Sequence, residues 1–211
     1  MTQGRGRRGH SLLVDLSPLR ESATYRWLFG GLLMSHMGRQ LTVVAVPFQV
    51  YVLTGSVLAV GLLGLAQLIP LLAMSLIGGA LADAVDRRRL LAASQLLLAV
   101  TAGLLAVNAF AGQPAVWPLY VLTGLNAAIS AIDSPTRTAV LPVIVGRSLL
   151  PSALALGQLL GNVAKAVVPA AAGVIIAAAG LGATFLLEAG LFVVGALLVW
   201  RIPPLPPEGG G

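Results

Sequence analysis

Gly79-Ala80-Leu81-Ala82-Asp83-Ala84-Val85-Asp86-Arg87-Arg88-Arg89 packs five charged side chains between two long apolar runs. Charge packed that tightly between segments long enough to cross a bilayer reads as a loop at the membrane surface. Each flanking run reaches roughly the 20 residues that span a ~30 Å hydrocarbon core. The whole composition points the same way. Hydrophobic residues make up 57% of the 211-residue chain, charged residues only 9%, and the mean hydropathy is +0.93. That leaves too little polar surface to cover a soluble globule of this size.

Working outward from the loop, apolar runs predict six helical spans. They lie near Trp27–Tyr51, Val57–Ala82, Leu90–Phe110, Trp117–Ile132 (extending to Ser134), Ala153–Ala179 and Gly182–Trp200. Thr54-Gly55-Ser56, Ala111-Gly112-Gln113-Pro114 and Gly180-Leu181-Gly182 are turn signals, and none carries a charge. The remaining connections hold eleven arginines: Arg5, Arg7, Arg8, Arg20, Arg26, Arg87, Arg88, Arg89, Arg137, Arg147 and Arg201. Short loops rich in Lys and Arg stay on the cytoplasmic side, so both termini are expected inside and the number of spans even. Because topology accounts for the +6 charge and the pI of about 11.1, and no basic face carries interleaved aromatics, no nucleic-acid partner is expected.

Residues 1–24 form a cytoplasmic lead, with Met1–His10 expected to be disordered and no signal-peptide pattern. Ser11–Ser22 places Leu12, Leu13, Leu16 and Leu19 so that either a short amphipathic helix on the inner leaflet or an unstructured lead-in fits. Residues 25–202 form the bundle. The chain has no cysteine and only two histidines far apart, without a metal-binding pattern, so no enzyme activity, cofactor or metal is expected.

Chemistry must come from polar groups that hydrocarbon penalises. Arg39 falls about 18 Å into the first span at 1.5 Å per residue, near the midplane. A guanidinium there needs a wet cavity or a partner, which leaves a substrate contact and a structural ion pair both open. Lys165, the only lysine, lies mid-way along the fifth span and Glu188 in the sixth; they can pair with each other or serve a proton-linked site. Gln67, together with Gln40, Asn126, Gln158 and Asn162, can line a cavity or bond between helices, and His36 can act as a relay or a packed donor. Gln67 with Pro70 and Gln158 with Pro169 form a faint internal repeat between the second and fifth spans.

The opening stretch resembles the loop signature after the second helix of major facilitator superfamily proteins, matched by Gly79, Leu81, Ala82, Asp83, Asp86, Arg87 and Arg88. The chain from Leu16 to Pro207 is most similar to the branch containing enterobactin exporters and transmembrane secretion effectors. Val46-Pro47-Phe48-Gln49-Val50-Tyr51 with Leu53-Thr54-Gly55-Ser56, and Asp133-Ser134-Pro135-Thr136-Arg137 with Ala139, Leu141 and Pro142, carry that likeness. The resemblance implies an all-α fold, the N-terminal six-helix half of a twelve-helix transporter, with residues 203–211 opening the central cytoplasmic linker. It implies a bacterial inner-membrane exporter of a small organic molecule, such as a drug or siderophore, working by alternating access. The implied partners are that substrate, the lipid bilayer and the missing C-terminal half, with self-association if the chain is expressed alone. In the family the loop acid caps a helix of the opposite half, which assigns Asp83 to gating, and Arg87 pairs with Asp133 or Asp86. The chain departs from proton-driven drug exporters at Tyr120, where an arginine is usual, and at Val168-Pro169-Ala170-Ala171-Ala172-Gly173, which lacks two of the expected glycines. A six-helix membrane partner without transport, or an inactive fragment, would carry the same signature.

Overall fold

Serine, aspartate and glycine set where the helices start and stop. The computed structural model describes residues 15–205, without the side chains of residues 76–84. Five helices follow one another: α1 (Ser17–Glu21), α2 (Ala23–Thr54), α3 (Val57–Ala84), α4 (Arg87–Phe110) and α5 (Trp117–Trp200). The Ser22 hydroxyl accepts the Tyr25 N–H at 3.1 Å to open α2, and Ser56 accepts the Ala59 N–H at 3.2 Å to open α3. Asp86 opens α4 by accepting the N–H groups of Arg88 and Arg89 at 2.9 and 3.4 Å. Each cap satisfies donors that a helix start leaves without partners. Gly55, at φ 63°, closes α2 in the left-handed conformation that glycine adopts without strain.

Helix α5 has 84 residues, about 126 Å if it were straight, but the backbone leaves helical geometry twice. Gly146 (φ 71°, ψ 169°) and Gly180 (φ 83°, ψ 173°) break it into segments 117–145, 147–179 and 181–200. The first segment runs beyond the Ile132 or Ser134 end expected from composition. Asp133 and Arg137 lie one turn apart and bond to each other, so charge does not stop this helix. By length and composition, Val57–Ser75, Arg87–Phe110 and Trp117–Trp200 can cross a membrane.

The core runs the length of the bundle between α2, α4 and the first and third segments of α5. One end packs Val46 and Val50 with Leu63, Leu105, Leu119 and Phe185; the middle packs Leu98, Ala102, Ile129 and Phe192. The other end packs Leu28, Leu91, Val140, Val199 and Ile202. The second segment of α5 joins through a single stripe, Ala153, Leu156, Gly161, Ala164, Val168 and Ala172, at the three-to-five-residue spacing of one helix face. Helix α3 leans on the first segment, where the Tyr120 hydroxyl donates to the Ala59 carbonyl at 2.7 Å. Its outward face is mostly apolar, with Val57, Leu58, Ile69 and Leu72 all more than half exposed beside the polar Gln67 and Ser75. A contiguous apolar exterior of that kind suits lipid or a protein partner, not water.

Helix α1 lies within the expected Ser11–Ser22 element; Met1–Val14 and residues 206–211, including most of the expected linker, fall outside the described residues. Asp15 ties this lead to the second segment of α5. It accepts the Ser152 hydroxyl at 2.6 Å and the Ser17 hydroxyl and N–H at 2.6 and 3.0 Å. These bonds pull its carboxyl down to about 2. The contribution of a carboxyl lowered in this way is complete above its ordinary value of 3.8 and fades as pH falls toward 2.

Gly124 is where α3 comes closest to the first segment of α5. A Cβ there would stand 2.7 Å from the Ala66 carbonyl oxygen and 3.3 Å from a Pro70 ring carbon, whereas one at Gly103 meets nothing within 4 Å. Gly124→Ala is expected to destabilise the bundle by about 1–3 kcal/mol through this overlap. Gly103→Ala, which gains helix propensity without a clash, should leave it unchanged or raise stability by up to about 1 kcal/mol. Thermal unfolding of both variants in the same detergent checks the pair.

Candidate functional site: a buried charge cluster beside a cavity

Helix α2 and the first segment of α5 bring three charged side chains to one point inside the bundle. The Arg39 Nη2 and the Arg137 Nε both donate to Oδ2 of Asp133, at 2.5 and 2.9 Å, and Asp133 is fully buried. Arg137 also donates through Nη2 to the Ser35 hydroxyl at 3.0 Å. Ser35 accepts a further bond from Gln95 of α4 and donates to the Gly31 carbonyl at 2.8 Å. A continuous polar chain therefore runs Gln95, Ser35, Arg137, Asp133, Arg39 and joins three helical segments through the apolar core. Helical spacing explains the alignment, since Ser35 and Arg39, and Asp133 and Arg137, are each four residues apart and share a face.

Two guanidinium groups share one carboxylate, so the cluster carries a net positive charge. Part of its bonding capacity is unused, because Arg39 Nε, Arg137 Nη1, Asp133 Oδ1 and Gln95 Oε1 are buried without a hydrogen-bond partner. Beside the cluster lies a cavity of about 230 Å³ between α2 and the first two segments of α5. Arg39, Asp133, Arg137 and His36 line it, and Tyr25 and Phe29 form an aromatic wall with ring centres 5.9 Å apart.

The structure thus gathers three of the charged sequence candidates, Arg39, Asp133 and Arg137, places His36 and Gln158 on the wall of the adjoining cavity, and sets Pro135, Gln67, Lys165 and Glu188 elsewhere. Pro135 lies on the exposed side of the same segment. Gln67 and Lys165 both face outward. Lys165 does not pair with Glu188, because the stripe of the second segment that meets the bundle runs through Gly161, Ala164 and Val168 and turns Lys165 away. Glu188 is fully buried instead and accepts the Thr42 hydroxyl, its second oxygen lacking a hydrogen-bond partner. Among the described residues no cation lies within ion-pair distance of it.

In the signature loop, Asp86 is the α4 cap and also accepts the Leu205 N–H at 3.3 Å. Arg87 is buried, and its N–H donates to the Leu205 carbonyl at 3.1 Å. Arg88 donates to the Ile202 carbonyl at 3.1 Å and lies over the Trp200 ring at 4.8 Å. The side chain of Asp83, and what surrounds Gly79, lie outside the described residues.

Ser35, Gln95 and Thr42 were not among the sequence candidates. Ser35, one turn before Arg39, carried the usable signal, since a buried guanidinium needs several acceptors. Gln95 and Thr42 resemble any isolated polar residue in a span.

The family model described as transmembrane secretion effector matches residues 14–206. The chain is 30% identical over 206 residues to the enterobactin exporter EntS of Citrobacter koseri, covering 93% of this chain and 47% of that one. It is 30% identical over 209 residues to the EntS of Salmonella typhimurium strain LT2, covering 94% and 48% respectively. The chain spans about half the length of the curated relatives it matches. No solved structure matches it. The chain belongs to the transmembrane secretion effector family of the major facilitator superfamily, a family of membrane transporters.

Asp133→Asn is expected to remove about 3–5 kcal/mol of stability, because it leaves the buried Arg137 and the partly buried Arg39 guanidinium without a counter-charge. Asp86→Asn, which keeps a competent helix cap, should cost well under 1 kcal/mol. Folded yield and melting temperature in detergent, compared side by side, check the contrast.

Proposed function

We propose that this member of the transmembrane secretion effector family forms the first six-helix half of a secondary active transporter that exports a small organic molecule by alternating access. The observation that carries the reading is a surplus of positive charge, buried beside a cavity, in a chain similar along nearly its whole length to exporters. Charge is expensive inside a bilayer and is kept there mainly for pathways and coupling. The six long helical segments are read as six spans, with the arginine-rich connections and both termini at the cytoplasmic face of a bacterial inner membrane. A second six-helix half would complete the pathway between them.

Within this reading the signature loop works as a gate. Asp83 would cap a helix of the second half when the inner side is closed, an interaction typically worth ~0.3–1 kcal/mol per contact. Several such contacts bias a rocking equilibrium. The loop sits on a firm base, because Asp86, Arg87 and Arg88 bind the start of α4 to residues 202–205.

Reconstituted alone, the chain is expected to self-associate and to sustain no uphill transport. Co-expression with a matching second half should give energy-dependent export of toxic dyes. Asp83→Asn in that pair should lower export far more than it lowers the amount at the cell surface. Gradient-driven efflux by a purified monomer of these 211 residues would overturn the proposal.

A further inference from the structure

We infer that the cavity beside Arg39 is a binding site for the anionic head of a single-ring aromatic compound. Its assignment as a cargo site rests on the transporter reading; binding itself does not. Three features support this. The charged groups lining the cavity are Arg39, Arg137 and Asp133, so one positive charge is left over on its wall. An unbalanced guanidinium in a low-dielectric setting attracts an anion strongly. Arg39 is the accessible member, with 27% of its side chain exposed against 9% for Arg137, so an anion can reach it without dismantling the cluster.

Donor capacity is also in reserve. Arg39 commits a single nitrogen, Nη2, to Asp133, while its side chain stays 27% exposed. A planar carboxylate is the acceptor that a guanidinium edge matches best, through two parallel bonds.

Size and walls narrow the class further. Binding pockets for drug-sized molecules are commonly about 300–1,000 Å³. At about 230 Å³ this one accommodates a single ring with its head group, or one arm of a larger molecule. Tyr25, Phe29, Leu28 and Leu32 supply the apolar surface for such a ring. Tyr25 is held in place because its hydroxyl donates to the Ala153 carbonyl at 3.0 Å, which keeps the wall rigid and leaves the ring face as its contribution. Rigid aromatic walls lower the ordering cost of binding.

The test uses the purified chain in lipid nanodiscs and radiolabelled benzoate, with benzamide and benzamidine as neutral and cationic molecules of nearly the same shape. Benzoate is expected to bind saturably, and neither analogue should displace it. Arg39→Gln should weaken benzoate binding at least about tenfold, the loss expected for one charge-assisted pair. Arg39→Lys, which restores charge but not the planar fork, should retain more affinity than Arg39→Gln. Size-exclusion profile and melting temperature establish that the variants are folded. Should Arg39→Gln fail that check, displacement by the two analogues on the unaltered chain decides alone. Equal displacement by benzamide, unchanged affinity in folded Arg39→Gln, or no saturable benzoate binding would overturn the inference. Benzoate binding as described with no export by the paired halves would leave the site standing and sink the transporter reading. Export by the paired halves, with benzoate and benzamide binding alike, would do the reverse.

Discussion

Asp133 lies where water does not reach and holds two guanidinium groups at once. The bonds of Ser35 and Gln95 are arranged around that fact. A lone carboxylate or a lone guanidinium in this position costs several kcal/mol, roughly, after relaxation, and the pairings offset much of that only while α2 and the first segment of α5 keep their register. Ser35 and Gln95 extend the constraint to α4, so three helical segments are fixed by one polar chain in place of side-chain packing alone. Such a network can specify a single arrangement in a way that interchangeable Leu and Val contacts cannot.

The second segment of α5 and helix α3 are held differently. Neither joins the charge cluster; each lies against the bundle along a narrow line of small or tightly fitted residues, Gly157 and Gly161 against Leu32 and His36, Gly124 against Ala66 and Pro70. Small residues let membrane helices approach closely, and they also leave broad outward faces free. The cavity lies between α2 and the first two segments of α5, with Phe29 and Arg39 on one wall and Gly157 and Gln158 of the second segment on another.

Much of this could be read from the chain because hydrocarbon makes polar residues conspicuous. Arg39, Asp133 and Arg137 stood out as charges in or at the end of apolar runs, and all three meet. Their contact was not legible, since Arg39 and Asp133 are 94 residues apart and no local pattern relates them. Lys165 was conspicuous for the same reason as Arg39, yet it faces outward, because depth along a span says nothing about which side of the helix a residue occupies. The ends of the helices were predictable where glycine and serine supply turn and cap chemistry, as at Gly55, Ser56 and Gly180. They were misjudged at residue 132, where a mutually bonded acid and arginine let the helix continue into more polar sequence. Gly146, the true break, gave no warning within its surroundings because prolines at 135, 142 and 151 are equally strong punctuation.

The shared carboxylate is tested most directly by a double-mutant cycle on Arg39 and Asp133. Unfolding free energies would be measured in bicelles for Arg39→Gln, Asp133→Asn and the combination. If Asp133 bridges the two arginines inside the bundle, the combined loss should fall short of the sum of the single losses by more than about 1 kcal/mol. Losses that add within about 0.5 kcal/mol would mean that the two side chains do not interact and would contradict the account.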